Sequence, residues 1–233
     1  MSYSLMPKSK PVLLKTEVLK KPWIKAFLAF YPLVISFFFT PSLYAQTRPD
    51  ALFEYRNGNF ERSVNICRAE MEENPNDLES HVVICWSLIS LSRYTEALDY
   101  ALNGRRISRY DVRITQILGE LAYYQGRNNE AIQFFQEYIN LAPIGARIDI
   151  VYYFLGEIYI RLGRFRHADI ALSTAVHWVP GNADWWTRLA YARENAGDLS
   201  DAATAYNRAL SLNSQLVDAR RGLDRVRQAM AAR

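Results

Sequence analysis

No lysine occurs after Lys25, and the whole chain has only two cysteines and three histidines. Each scarcity excludes a class of function. The formal net charge is +4 over 233 residues, but the first 45 hold six lysines (Lys8, Lys10, Lys15, Lys20, Lys21, Lys25) and one acid (Glu17), a balance of +5, which leaves −1 for the remainder. A near-neutral body has no electrostatic footprint for a phosphate backbone, so no nucleic acid is expected as a partner. His81, His167 and His177 lie at none of the short spacings from a cysteine or another histidine that metal sites use, so neither a metal nor a cofactor is expected. The chain also lacks a glycine-rich phosphate loop, a serine nucleophile elbow and an H-E-x-x-H helix. The pair Glu72-Glu73 reads as a solvated helix end, and no catalytic residue is assigned. Half the residues are hydrophobic and 13% are aromatic, a composition that buries a core instead of remaining disordered.

The lysines belong to a leader. Lys20, Lys21 and Lys25 flank the uncharged run Ala26–Phe39, Pro41 closes it, and Leu43-Tyr44-Ala45 sets a small residue before Gln46. That layout is a secretory signal, so residues 1–45 are expected to be removed at Ala45–Gln46. The run is shorter than the roughly 20 residues of a spanning helix and Pro32 interrupts it; the alternative is an uncleaved anchor over Trp23–Tyr44. Either form exports the remainder to the periplasm or cell envelope, with membrane contact only through the N-terminal segment. No cysteine near residue 45 is available for lipid attachment.

Beyond the leader the chain repeats itself. Gly58, Ser92, Gly126, Gly163 and Gly197 are separated by steps of 34, 34, 37 and 34. Ser63, Ala97, Ala131, Ala168 and Ala202 follow the same steps, as do Pro75, Arg109, Pro143, Pro180 and Ser214. Three columns sharing one period and one three-residue slip mark a repeat architecture, and the slip falls in the loop Pro143–Arg147. Each unit reads as two amphipathic helices. In the fourth, Tyr152, Leu155, Tyr159 and Leu162 form an apolar face, Gly163-Arg164 turns the chain, and Ala168, Leu172 and Ala175 face back.

These residues resemble the tetratricopeptide repeat, with its W-x2-L-G-x2-Y helix, glycine turn, A-x3-F-x2-A helix and proline. The fourth unit matches with Tyr152, Leu155, Gly156, Tyr159, Ala168, Ala175 and Pro180; the fifth with Trp186, Leu189, Ala202, Tyr206 and Ala209; the third with Leu118, Gly119, Ala131, Phe135 and Pro143. The second keeps Ala97 but has Cys85 at the small site, and the first has Asp50 where leucine is expected. The resemblance implies an all-α, right-handed α-solenoid over residues 46–214, of about five helix-turn-helix units (46–76, 77–110, 111–147, 148–181 and 182–215). A capping helix is expected within 216–233, with Leu216, Leu223, Val226 and Met230 on its apolar face.

Cys67 and Cys85 lie nine residues to either side of Asn76, at equal heights on two antiparallel helices, so in an oxidising compartment they form either a disulfide or two buried thiols.

The family's groove-lining positions fall here on Tyr55 and Arg56, on Trp86, on Arg113, Glu120, Tyr123 and Tyr124, on Tyr153, Glu157 and Arg161, and on Tyr191, Glu194 and Asn195. Aromatic and arginine side chains mixed in this way are those of protein-binding hot spots. Leu52 stands where a chaperone-type clamp for a C-terminal carboxylate needs asparagine. The expected function is a non-catalytic scaffold of the cell envelope that captures a peptide or partner protein in this groove. The alternatives are a self-associating assembly factor, hence a homo-oligomer, and a small-ligand carrier.

Overall fold

A computed structural model describes residues 50–232; the leader lies outside the described residues. Eleven helices and no strand make up those residues. They pair as α1 (Ala51–Arg56) with α2 (Phe60–Glu73), α3 (Leu78–Ser90) with α4 (Tyr94–Ile107), and α5 (Val112–Tyr124) with α6 (Asn128–Leu141). Then come α7 (Ile148–Arg161) with α8 (Phe165–Trp178), α9 (Ala183–Ala196) with α10 (Leu199–Leu212), and a lone α11 (Val217–Ala231).

Local chemistry sets the helix starts. Asp77, Asp111 and Asn182 accept bonds from the first amides of α3, α5 and α9, satisfying donors that a helix start leaves open. Asp50 does the same for Phe53, so the acid at the first unit's leucine position serves as a cap and α1 is short. α7 alone among the first helices of the hairpins has no side-chain cap. Its start follows the three-residue slip, and there the Arg147 N–H donates to the Tyr138 hydroxyl at 3.1 Å.

The turn inside each hairpin needs a left-handed residue. Gly58, Gly126, Gly163 and Gly197 supply it, and Ser92 at φ 59° is the only non-glycine in that region among the described residues. Within a hairpin, small faces large. A Cβ on Gly119 would meet the Phe135 ring at 2.5 Å, and one on Gly156 would meet Leu172 at 2.4 Å. These two glycines let the paired helices approach closely. The fourth unit buries Leu155, Ala168, Leu172 and Ala175, while Leu162 falls at the helix end and is partly exposed.

The stack is an α-solenoid with a defined inner layer. The backbones of first helices approach the next first helix (α1–α3, α3–α5, α5–α7, α7–α9, α9–α11), whereas second helices reach the next second helix through long side chains, as Arg105 of α4 does to Glu137 of α6, without close backbone approach. Crowding on one side and splay on the other curve the stack, with first helices on the concave face. α11 starts 34 residues after α9 and occupies the place of a further first helix. It buries Ala219, Gly222, Leu223 and Val226, but Met230, expected on that apolar face, is exposed.

The absence of lysine acquires a structural meaning here. Arginines join successive hairpins: Arg93 to Glu61, Arg113 to Glu79 and Arg105 to Glu137 through one nitrogen, and Arg188 to Glu157 and Arg225 to Glu194 as two-nitrogen forks. A planar guanidinium can hold both oxygens of a carboxylate one repeat away, which a lysine ammonium cannot do in the same way. Between the third and fourth hairpins this link weakens to a 3.7 Å contact of Arg147 with Glu120. Aromatic packing takes over: Phe135 stacks on Phe154 at 5.6 Å, and Tyr123 meets Phe154 at 4.8 Å.

Cys67 and Cys85 are buried and unbonded. The Cys85 thiol donates to the Ala97 carbonyl oxygen of its own partner helix at 3.4 Å. Burial pushes the Cys67 thiol up to about 12 and raises that of Cys85 as well, which keeps both protonated.

Candidate binding groove

The residues assigned to the groove separate into two halves with different chemistry. Tyr55, Trp86, Arg113, Glu120 and Tyr124 line one cavity of about 520 Å³, joined by Ile89 and Gln116. The other lining residues are Ser90, Phe154, Ile150 and the loop residues Ala146 and Arg147. Two aromatic pairs stand along it: Tyr55 against Trp86 at 5.8 Å, and Tyr124 against Phe154 at 6.0 Å. Arg56 is exposed beside it and does not line it.

Two polar side chains lie deep in this recess. Gln116 is 2% exposed and Glu120 6%. They are one helical turn apart on α5, and the Gln116 amide donates to Glu120 Oε1. Burial raises the Glu120 pKa, while Arg147 and Gln116 pull it back down without cancelling the rise. Tyr124, half-buried beside this carboxylate, is pushed up to about 12 by burial and then by Glu120, so it stays a neutral phenol. Arg113 is held on both sides, by Glu79 at 2.7 and 2.8 Å and by Asp111 at 2.9 Å.

The second half of the groove is closed on itself. Arg188 grips Glu157 at 2.6 and 2.9 Å and lies 5.3 Å from the Tyr191 ring centroid. Arg161 sits 4.4 Å over the Tyr123 ring and donates to the Tyr123 carbonyl and to Asn128 Oδ1. Tyr153 stacks on Trp185 at 5.0 Å, and burial pushes its phenol up to about 12. Asn195 donates back to the Tyr191 carbonyl of its own helix.

Glu194, assigned to the groove by its register, is engaged by α10 and α11. It accepts from Arg225 at 2.8 and 2.9 Å and from the Tyr206 hydroxyl at 2.6 Å, which pins α11 to the stack. Burial opposes its ionisation, and these two donors override that and hold its pKa below the usual carboxylate range.

Sequence reasoning missed Ser90, Phe154, Ile150, Ala146 and Arg147. The available signal was the three-residue slip at Pro143–Arg147, whose extra residues carry the last two to the cavity rim. Gly145 permits that path, since a Cβ there would sit 2.6 Å from the Tyr138 hydroxyl. No group of three or more metal-ligating side chains and no helix long and apolar enough to cross a membrane occurs among the described residues.

Tetratricopeptide-repeat family models match residues 153–217 and 117–143. No curated protein matches the sequence significantly. Among solved structures, PilW, described as a widely conserved type IV pilus biogenesis factor, is 17% identical with a TM-score of 0.67, covering 78% of this chain and 83% of its own. YrrB, described as having an unusual peptide-binding site, is 17% identical with a TM-score of 0.64, over 72% of this chain and 84% of its own. MamA from Desulfovibrio magneticus RS-1 is 18% identical with a TM-score of 0.62, over 72% of this chain and 93% of its own. At these identities the likeness is one of fold.

Proposed function

Since the chain is a tetratricopeptide-repeat protein, we propose that it is a non-catalytic scaffold of the cell envelope that holds a peptide or partner protein in its concave groove. The observation that carries this reading is the contrast between the two halves. The α7–α9 half satisfies its arginines and acids internally. The α1–α7 half keeps an open recess of about 520 Å³ walled by aromatic rings. Rings with few rotors to freeze, beside a small number of fixed polar groups, suit capture of an extended chain. The peptide-binding site of YrrB on the same fold supports the peptide reading, and the pilus-biogenesis role of PilW supports an envelope setting. The leader's basic flank, apolar run and small residue at Ala45 support export.

The test is site-specific photo-crosslinking in the native cells, with a benzophenone side chain at Tyr124 in the recess or at Ile170 on the outer helix α8, which is 69% exposed. The expected outcome is one defined protein crosslinked from Tyr124 and not from Ile170, in the envelope fraction, from a chain whose N-terminus is Gln46. Crosslinking of the same protein from Ile170 alone refutes the groove, and a cytosolic, uncut chain refutes the envelope.

A further inference from the structure

The recess contains one carboxylate whose second oxygen is unengaged. The Gln116 amide donates to Oε1, and the nearest approach of the Arg147 guanidinium is 3.7 Å, also to Oε1, which is too long for a hydrogen bond. Among the described residues no hydrogen bond is donated to Oε2, and Glu120 lines the cavity. The positive charges nearby are committed elsewhere or held at a distance. Arg113 is engaged by Asp111 and Glu79, and Arg147 reaches in from a loop with its side chain 57% exposed. The same cavity is lined by Trp86, Tyr124, Phe154 and Ile150, apolar surfaces that suit a long aliphatic stem. A cation led past aromatic faces to a partly desolvated carboxylate is favoured by ring quadrupole and ion pair together. An acidic group would meet Glu120 at the same depth.

We propose that the recess takes a lysine or arginine side chain of an extended peptide partner, its cationic head bonded to Glu120 Oε2 and its stem against Trp86, Tyr124 and Phe154. This rests on the groove reading and names the partner's chemistry at that site. Arg147 then acts as the resident cation that an incoming one displaces. The three-residue insertion, absent from the other units, supplies this lid residue.

The test uses the purified full chain and four fluorescent nonapeptide pools with lysine, arginine, norleucine or glutamate fixed at the centre and random flanks, read by anisotropy. The lysine and arginine pools are expected to bind about tenfold more tightly than the norleucine pool, the scale of one charge-assisted bond. Glu120→Gln is expected to abolish that preference, with circular dichroism confirming the fold. Arg147→Ala, on an exposed loop, is expected to tighten the basic pools several-fold; a purely structural role for Arg147 would weaken every pool alike. Equal binding of all four pools overturns this inference and leaves peptide capture standing. Binding of none overturns both.

Discussion

Replacing Gly119 by alanine couples the repeat packing to the recess. Gly119 lies in α5, one residue before Glu120. A Cβ there would stand 2.5, 2.7 and 3.0 Å from three atoms of the Phe135 ring. Phe135 has no exposed surface and stacks on Phe154 at an interplanar angle of 6°, so the ring cannot swing into solvent. Alanine in a helix interior is favoured over glycine by about 1 kcal/mol. Overpacking a close-fitted core costs about 1–3 kcal/mol, and three simultaneous overlaps place this case at the upper end. The net expectation is a loss of about 2 kcal/mol, a fall in Tm of roughly 4–8 °C for a chain of this length. The assay is a urea or thermal melt followed by far-ultraviolet circular dichroism. Gly181→Ala is the control, since a Cβ there meets nothing within 4 Å. Because Phe154 walls the recess, peptide binding is expected to weaken as well. A Gly119→Ala chain as stable as the parent would show that the Phe135 ring is not fixed, and would refute the close-packed hairpin interior.

Ser92→Gly should stabilise: the left-handed conformation costs a non-glycine residue about 1–2 kcal/mol, the extra freedom of unfolded glycine returns about 0.5–1 kcal/mol, and a Tm rise of roughly 2–4 °C should follow. Glu120→Gln should raise the melting midpoint at neutral pH. The Glu120 pKa is raised in the folded state, so the native chain loses stability as pH climbs past the ordinary glutamate range, and the variant's advantage should grow from pH 4 to pH 7. Glu194 has the opposite sign, a depressed folded pKa, so its contribution is present above the ordinary glutamate range and is lost as pH falls. Arg225→Gln should diminish it and speed amide exchange throughout α11 while leaving α3 unchanged.

Period and fold were legible because they rest on backbone requirements that only a few residue types meet. The column Gly58, Ser92, Gly126, Gly163, Gly197 is the set of left-handed turns, so reading its steps was equivalent to reading five hairpins. The small column and its large partners were legible for the same reason, since Gly119 and Gly156 each face a specific bulky side chain. Register alone placed α11, but it did not reveal that Glu194 would be gripped by it. That depends on an arginine 31 residues later pointing back, and no periodic pattern encodes a rotamer.

The recess shows where repeat logic stops being informative. Groove positions were assigned by carrying one set of offsets through five units, which presumes that equivalent positions have equivalent neighbours. They do for Tyr55 and Ile89, for Trp86 and Glu120, and for Ser90 and Tyr124, pairs one 34-residue step apart that all meet the cavity. The assumption fails at the third-to-fourth junction, where the step is 37 and not 34. There α7 loses its Asp or Asn cap, the Tyr138 hydroxyl takes the Arg147 N–H instead, and the displaced loop brings Ala146 and Arg147 to the rim. Phe154, positioned by the same junction, becomes a wall instead of pure core, though only 7% of it is exposed. A departure from the period therefore carries more functional information than the period itself: conforming positions maintain the stack, and the one departure determines which stretch of the inner face opens into a cavity. Deleting three residues from 143–147 to restore a 34-residue step should preserve the helical content and remove the Arg147 contact to Glu120. If the recess is a product of the slip, such a chain should melt cooperatively and lose discrimination among the peptide pools. If it discriminates as before, the recess arises from the first helices alone and the loop is incidental.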